Sequence, residues 1–381
     1  MVSCGEASGD LYAGALVGAL RDLDPAVDVF GFGGPRMAAA GARLTGDFRG
    51  FSVTGLVEAV RVLPRSWRML GTLRAAARAQ RPDVFVAIDF PDFNFRLLAS
   101  MQAAGIPIVY YVSPQLWAWR PGRLQTIRRY VDRMLVIFPF EVELYERAGV
   151  AVEFVGHPLI DLTAPTRPRA ALCADAGLDP AAPIVALLPG SRPNEVTHIL
   201  PDVVGGARLI AAQVPGVQFV IARAPSLDDR VFAAAGELRR RGLPHAIVEH
   251  AADDVLAAAD VAITASGTAT VQAALHGRPM GLVDRVSPLT SAIGRRVVRV
   301  PAYGRVNLVA GRPIGPELIQ EALTPAAVAR EAVSLLTDAA RAARMRDDLA
   351  AMRARLGGPG ASRRAADAVL RTRARAAPPS T

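Results

Sequence analysis

The stretch Val84-Phe-Val-Ala-Ile-Asp-Phe-Pro-Asp-Phe-Asn94 joins an uninterrupted apolar run to a polar loop. Such a run, rich in Val and Ile, predicts a strand buried on both faces, as in a parallel sheet. Two further runs of this kind follow at Ile108–Val112 and Met134–Phe138. Helical patterns lie around these runs, at Arg74–Arg81, Phe95–Ala104 and Gln125–Tyr130.

The same alternation restarts after Gly156. Apolar runs predict a second set of strands, at Ile184–Leu188, Gln218–Ala222, Ala246–Val248 and Val261–Thr264. The fold class is therefore α/β, with two Rossmann-like doubly wound domains facing across a cleft. We expect an N-terminal domain at residues 1–157, a second at 158–340 and an Arg/Ala-rich helical tail at 341–381. Whether the tail crosses back to the first domain is left open.

Composition excludes several classes of protein. With 381 residues and 51% hydrophobic content, the chain is too apolar to be disordered. Its two cysteines, Cys4 and Cys173, cannot frame a disulfide scaffold. The sequence has no apolar run long enough to span a bilayer and no signal peptide. We therefore expect a cytoplasmic protein, soluble or peripheral on a membrane.

The positive charge is carried by arginine alone and is clustered. The net charge is +9, and Arg341–Thr381 holds ten Arg against three Asp. Clustered Arg suits phosphates or an anionic membrane surface. The sequence contains no recognisable nucleic-acid-binding module, so no nucleic-acid partner is expected.

Three polar loops of the first half follow predicted strands. Gly5-Glu-Ala-Ser-Gly-Asp10 predicts a tight turn, with Ser8 or Asp10 as a helix cap. Asp89 lies at the carboxyl end of a strand, with Phe90 and Phe93 as apolar neighbours. In such surroundings the pKa of a carboxyl can rise toward that of a general base. The alternative for Asp92 and Asn94 is that one of them merely caps the helix that starts near Phe95. The loop Tyr111–Arg120, with two Trp, suits stacking on a sugar; packing against the sheet edge is the alternative.

Two loops of the second half have the composition of diphosphate-binding loops. Pro189-Gly-Ser-Arg-Pro-Asn-Glu195 opens a helix with an Arg beside main-chain N–H groups. Ser266-Gly-Thr-Ala-Thr-Val-Gln272 opens another helix with hydroxyl and amide donors. Because both follow strands of one predicted sheet, together they indicate a nucleotide diphosphate site.

These motifs, in this order, resemble those of lipid-A-disaccharide synthases over roughly the first 320 residues. Further matches are Gly33-Gly-Pro-Arg-Met37, Pro139-Phe-Glu141, Gly156-His-Pro158 and Asn307-Leu-Val-Ala-Gly-Arg312. The resemblance implies an inverting glycosyltransferase with the GT-B fold, and no cofactor or metal. The implied substrates are UDP-2,3-diacylglucosamine and 2,3-diacylglucosamine 1-phosphate, and the implied products are the β-1′,6-linked disaccharide and UDP.

The resemblance also implies roles for particular residues. Asp89 is the implied general base. On the acceptor side we expect Glu6, Ser8, Asp10, Asp92, Asn94, Gln115 and Trp119. On the UDP-sugar side we expect Ser191, Arg192, Glu195, Ser266, Gly267, Thr268, Gln272 and Asn307. The alternatives are another UDP-GlcNAc-type GT-B glycosyltransferase or epimerase, and a non-catalytic nucleotide-sugar- or lipid-binding protein. A homodimer remains open.

The sequence departs from the family pattern at three places. Gln272 stands where related enzymes carry Glu, and Arg305-Val306 stands where Leu-Pro is common. Only Met1–Cys4 precede the first loop, so we expect the natural protein to begin several residues upstream.

A helical pattern at 56–70 predicts a membrane-docking surface. Its apolar residues, spaced three and four apart, are Leu56, Val60, Leu63, Trp67 and Leu70. Arg65 and Arg68 flank Trp67, a composition typical of interfacial helices. We expect this surface to dock on the inner leaflet of the inner membrane; an ordinary core-facing helix is the alternative.

Overall fold

The computed structural model describes residues 1–49, 56–114, 116, 122–225, 227–285 and 304–376, with the main chain alone at 56–62 and 374–376. The chain forms two compact units. Unit 1 comprises Met1–Ile160 and Leu356–Thr381, and unit 2 comprises Asp161–Arg355. The chain thus changes unit at 160/161 and 355/356, whereas the sequence pattern places the changes at 157/158 and 340/341.

The described part of unit 1 is built on seven parallel strands. They are β1 Val2–Cys4, β2 Phe30–Gly33, β3 Arg43–Asp47, β4 Phe85–Ile88, β5 Ile108–Tyr111, β6 Arg133–Val136 and β7 Val152–Phe154. Their order across the sheet is β3-β2-β1-β4-β5-β6-β7, and the predicted strands at β4, β5 and β6 are confirmed. The order reverses between β1 and β4, so the loops after these two strands flank a topological switch point, where such sheets bind ligands.

Helices connect these strands, because parallel neighbours need a crossover. They are α1 Ala7–Leu23, α2 Pro35–Ala39, α3 Leu56–Gln80, α4 Pro91–Ala103, α5 Gly122–Tyr130 and α6 Phe140–Arg147. A short helix, α7 Leu159–Leu162, lies where the chain passes into unit 2. In the described parts of the chain, we find no helix with the length and apolar content needed to cross a membrane.

Helix α3 continues through Pro64, and it carries both buried and exposed apolar residues. Leu70 is fully buried together with Leu73 in the core of unit 1, so its predicted place in a membrane-docking surface is wrong. The physical reason is that α3 packs on α4 and β3, and Leu70 lies on the face that meets them. Leu63 and Trp67 are 38% and 55% exposed. The side chains of Leu56 and Val60 lie outside the described residues.

Unit 2 has a sheet of six parallel strands within the described residues. They are β8 Ile184–Leu188, β9 Gln218–Arg223, β10 His245–Glu249, β11 Val261–Ala265, β12 Met280–Asp284 and β13 Glu317–Ile319. The order is β10-β9-β8-β11-β12-β13, and the four strands predicted from the sequence are confirmed. Here the order reverses between β8 and β11, which places the second switch point at their carboxyl ends.

Every residue of the central strands β8 and β11 is buried, and both faces of these strands are covered by the helices of unit 2. These helices are α8 Arg169–Ala176, α9 Pro193–Ala211, α10 Gly236–Arg240, α11 Ala252–Ala258, α12 Thr268–Leu275, α13 Arg305–Ala310, α14 Pro325–Thr337 and α15 Ala339–Arg355. Within the described residues of unit 2, two 3₁₀ helices are also present, at Asp229–Ala235 and Gln320–Ala322. Helix α15 packs on α12, α13 and α14, which explains why unit 2 extends to Arg355.

The chain then returns to unit 1. Helix α16, Ala361–Ala376, packs on α1. Arg364 on α16 donates a 2.8 Å hydrogen bond to the carbonyl of Val155, directly after β7. Arg373 pairs with Asp24 at 3.1 Å. Part of the positive charge of the tail is therefore neutralised by acidic groups of unit 1.

Candidate functional site

Asp89 follows β4 at the switch point of unit 1 in a strained conformation. Both Asp89 and Phe90 have left-handed backbone angles, with φ of 44° and 48°. Such angles are uncommon outside glycine, and residues held in them cluster at functional sites. The Asp89 carbonyl accepts hydrogen bonds from Asn94 Nδ2 at 2.8 Å and from the Tyr110 hydroxyl at 2.7 Å. These contacts fix the main chain from which the carboxylate projects.

The first loop of unit 1 touches the Asp89 loop through Gly5. A Cβ atom on Gly5 would lie 2.0 Å from the ring of Phe90, so only glycine allows this approach. The Phe90 ring also stacks on Phe93, with 5.4 Å between the ring centroids. The two loops that flank the switch point are thus in direct contact, through Gly5 and the Phe90 ring.

Asp10 was expected on the acceptor side, and the structure contradicts this. Its side chain is buried, and its carboxylate accepts hydrogen bonds of 2.9–3.0 Å from the N–H groups of Gly34, Arg36 and Met37. Asp10 therefore caps the N-terminus of α2, where a negative charge is favourable. It does not cap α1, as the sequence suggested as one alternative.

Asn94 is likewise not exposed to an acceptor. It is fully buried, and its Oδ1 accepts a 2.6 Å hydrogen bond from the hydroxyl of Ser3 on β1. Because its Nδ2 holds the Asp89 carbonyl, Asn94 acts on the site by positioning the main chain of Asp89. The expectation of a direct acceptor contact is wrong for this residue.

The other acceptor-side predictions have three outcomes. Asp92 lies in the first turn of α4, exposed and paired with Arg123. Glu6 and Ser8 are partly buried at the start of α1, and Glu6 makes no side-chain cap to it. Gln115 and Trp119 lie outside the described residues.

In unit 2, the loop after β8 folds around Glu195. The Glu195 carboxylate accepts hydrogen bonds from the N–H groups of Ser191 and Arg192, at 3.0 and 3.2 Å. It also pairs with the Arg192 guanidinium at 2.7 Å. Gly190 enters this turn with φ of 129°. Glu195 therefore organises the loop, and it neutralises part of the charge that Arg192 brings.

The loop after β11 presents polar groups at the adjacent strand end. The Ser266 hydroxyl donates to the carboxyl of Asp284, the last residue of β12. Burial raises the pKa of Asp284 above its usual value, although the bond from Ser266 opposes that shift. Gly267 has φ of 134° and precedes Thr268, whose Oγ1 accepts a 2.9 Å hydrogen bond from Arg305. These residues lie beside the Glu195 loop, because β8, β11 and β12 are neighbours.

Gln272 points toward a carboxylate. Its Nε2 donates to Asp253 Oδ1 at 3.3 Å, and Nε2 of His276 lies 3.0 Å from the same oxygen. The Gln272 side chain is thus bonded to an acid on helix α11, which packs on α12.

Asn307 was expected to bind the UDP-sugar, and its contacts contradict this. Nδ2 donates to the Gly315 carbonyl and to Glu317, and Oδ1 accepts from the N–H groups of Ile314 and Gly315, all at 2.8–2.9 Å. Four hydrogen bonds exhaust the capacity of an Asn side chain. The residue is buried and fixes the turn after α13.

Tyr110 and Asp284 were not predicted from the sequence. Asp284 carried the same signal as Asp89, since it ends the apolar run Met280-Gly-Leu-Val-Asp284. Tyr110 lies inside an apolar strand. Nothing in the local sequence shows that its hydroxyl bonds to the carbonyl of Asp89, directly after the neighbouring strand β4.

Fold and switch points together define the GT-B class, which includes glycosyltransferases and related epimerases. The UDP-GlcNAc 2-epimerase of Neisseria meningitidis matches with a TM-score of 0.69 at 10% identity, covering 97% of this chain and 99% of that one. The calicheamicin glycosyltransferase matches with a TM-score of 0.60 at 21% identity, covering 99% and 98%. Similarities at this level of identity show the fold alone.

Sequence comparison defines the family. The family model described as lipid-A-disaccharide synthetase matches residues 1–371. The lipid-A-disaccharide synthase of Myxococcus xanthus (strain DK1622) is 43% identical over 370 residues, which are 97% of this chain and 96% of that protein. That of Geobacter metallireducens is 42% identical with the same coverage. The chain belongs to the lipid-A-disaccharide synthetase family and is a glycosyltransferase.

Proposed function

We propose that Asp89 is the general base of the reaction of this family. In that reaction, 2,3-diacylglucosamine passes from UDP-2,3-diacylglucosamine to 2,3-diacylglucosamine 1-phosphate. Asp89 takes the proton from the 6-hydroxyl of the acceptor as that oxygen attacks the anomeric carbon, and the bond to UDP breaks with inversion. The observation that carries the proposal is the strained Asp89 main chain, held by Asn94 and Tyr110 at the switch point of unit 1.

The leaving UDP is assigned to the switch point of unit 2. The start of α12 and the loop before α9 present main-chain N–H groups, hydroxyls and the Arg192 guanidinium at adjacent strand ends. Donors of this kind stabilise the negative charge that develops on the departing diphosphate.

A UDP-release assay with both acylated substrates tests the reaction. We expect UDP to appear only when donor and acceptor are both present. An epimerase would instead convert UDP-GlcNAc without an acceptor. A non-catalytic protein would bind UDP and release none from the donor, and either outcome would refute the proposal.

The acylated substrates require access to a membrane, and we assign this to the exposed part of α3. Leu63 and Trp67 lie one helical turn apart and are both exposed. Arg65 and Arg68 are exposed on the same helix, and the Arg96 guanidinium lies 4.9 Å from the Trp67 ring centroid. Apolar side chains surrounded by Arg suit the anionic inner leaflet.

Replacing Leu63 and Trp67 by Ser is expected to reduce sedimentation with vesicles that contain anionic lipid, and to leave UDP affinity unchanged. Ile247→Ser is the matched control, because Ile247 is also an exposed apolar residue, 42% accessible, but lies on β10 of unit 2. Vesicle binding equal to that of the unmodified chain would exclude this surface.

A further inference from the structure

We propose that Arg305 binds the diphosphate of the sugar nucleotide; the inference rests on the UDP site assigned above. Arg305 is the first residue of α13, and its Nη1 donates a 2.9 Å hydrogen bond to Thr268 Oγ1. Thr268 is in turn the first residue of α12. The guanidinium therefore lies at the N-terminus of the helix that follows the second polar loop.

The charges around this position favour Arg305 as the cation for phosphate. Arg192 is already paired with Glu195 at 2.7 Å, so its charge is partly neutralised within its own loop. The carboxyl of Asp284 adds a second acid nearby, bonded to Ser266. Among the residues that the structure describes, no carboxylate pairs with Arg305. A diphosphate bound at these strand ends would therefore contact the Arg305 guanidinium, whose charge is not neutralised by any acid in the described parts of the chain.

The geometry of the group also suits this role. A guanidinium has five N–H donors in one plane, and the bond to Thr268 uses one of them. The remaining donors match phosphate oxygens in a bidentate arrangement, which a Lys ammonium cannot reproduce.

The main chain that carries Arg305 is held in place. The N–H of Gly304 donates to Glu317 Oε1 at 2.8 Å, and Asn307 Nδ2 donates to the same oxygen at 2.8 Å. Asn307 thereby fixes the first turn of α13 against Glu317, the first residue of β13. This arrangement gives Asn307 a function in the site without ligand contact, because it positions Arg305.

The test is calorimetric titration of uridine, UMP and UDP into the full chain and into Arg305→Leu. We expect the affinity for UDP to fall ten- to a hundredfold, the usual effect of losing hydrogen bonds to a charged group. Uridine affinity should stay within twofold. Arg305→Lys should recover part of the loss, since it restores the charge without the planar fork. Arg312→Leu is the matched control: Arg312 is exposed and pairs with Asp348, and its loss should leave all three affinities unchanged.

Equal UDP affinity in Arg305→Leu and the unmodified chain would overturn the inference, and so would an equal loss for uridine and UDP. If the Leu variant fails to fold, Arg305→Gln replaces it, with the same expected pattern. Failure of the unmodified chain to bind UDP would instead refute the proposed function, so the two failures are distinguishable.

Discussion

The hydroxyl of Tyr110 donates a 2.7 Å hydrogen bond to the main-chain carbonyl of Asp89. Tyr110 lies on β5, beside Ala87 of β4, so its ring reaches the end of the neighbouring strand. Burial, reinforced by the charge of Asp89, raises the pKa of Tyr110 well above its usual value. The phenol therefore stays protonated, and it remains a donor to Asp89 throughout the physiological pH range.

Tyr110→Phe removes this donor and leaves Asn94 as the other side-chain support of the Asp89 carbonyl. We expect a loss of about 1 kcal/mol in the free energy of unfolding, typical of one hydrogen bond. We also expect kcat to fall about tenfold with little change in KM, because a displaced general base impairs proton transfer more than binding. Tyr145→Phe is the control: it removes a 2.7 Å contact with Ser113 and should reduce stability without reducing kcat. Equal effects on kcat would contradict the positioning role.

Asp89→Asn keeps the size of the side chain and removes the base. We expect a stable protein whose turnover is about 10²–10⁴-fold lower, the usual contribution of general base catalysis. Asp92→Asn, three residues further along in the first turn of α4, removes an exposed acid paired with Arg123 and should retain most activity. An Asp89→Asn variant with more than a tenth of the normal rate would exclude Asp89 as the base.

Gly5→Ala places a methyl group 2.0 Å from the Phe90 ring. The ring must move, so we expect a loss of roughly 1–3 kcal/mol of stability and reduced turnover, since Phe90 adjoins Asp89. Gly18→Ala is the opposite case, because Gly18 lies inside α1 and its added Cβ meets nothing within 4 Å. That variant should be more stable by about 0.5–1 kcal/mol, as urea unfolding of both proteins would show.

Asp284→Asn should change the pH dependence of stability. Because burial raises the pKa of Asp284 in the folded state, its ionisation destabilises the fold as the pH rises through that raised value. The Asn variant should therefore gain stability relative to the unmodified chain near pH 7. The difference should vanish below the pKa of the unfolded state, about 3.9.

Asp254→Asn provides a comparison of opposite sign. Burial alone would raise the pKa of Asp254, but hydrogen bonds from Arg167 and Thr166 lower it below its usual value. Its stabilising effect is present above the unfolded-state pKa and is lost as the pH falls through the folded one. The variant should be less stable near pH 7, and the deficit should shrink in acid. Urea unfolding of both variants from pH 3 to pH 8 would show whether the signs differ.

The predicted strands agree with the structure because the sequence signal of a buried parallel strand is local. Ile184–Leu188 matches β8 at both ends. By contrast, β2 has the sequence Phe30-Gly-Phe-Gly33, and its glycines interrupt the apolar run by which a strand is predicted. Gly31 is required there because an added Cβ would lie 1.9 Å from the carbonyl oxygen of Val2, on the adjacent strand. No local pattern reveals such a contact.

Polar residues were the least predictable part of the site. Asp10 and Asn307 both belong to motifs with the expected chemistry, yet main-chain groups outside their own helices bond to their side chains. In the sequence, Arg305 is a departure from the family pattern, whereas in the structure its contact with Thr268 brings the guanidinium to the start of α12. The partner of a polar side chain is set by the tertiary fold, so sequence position alone could not separate a binding group from a capping group.

The return of α16 to unit 1 has a consequence for the order of biosynthesis. Unit 2 is one continuous segment, and all of it leaves the ribosome before Leu356 does. Domains generally fold as they emerge, so unit 2 can complete its structure while the outer face of α1 still awaits α16. The half of the enzyme that is translated first is therefore finished last. The face of α1 that packs on α16 therefore stays uncovered for the whole time it takes to translate unit 2, and it is covered only after Ala361–Ala376 have emerged.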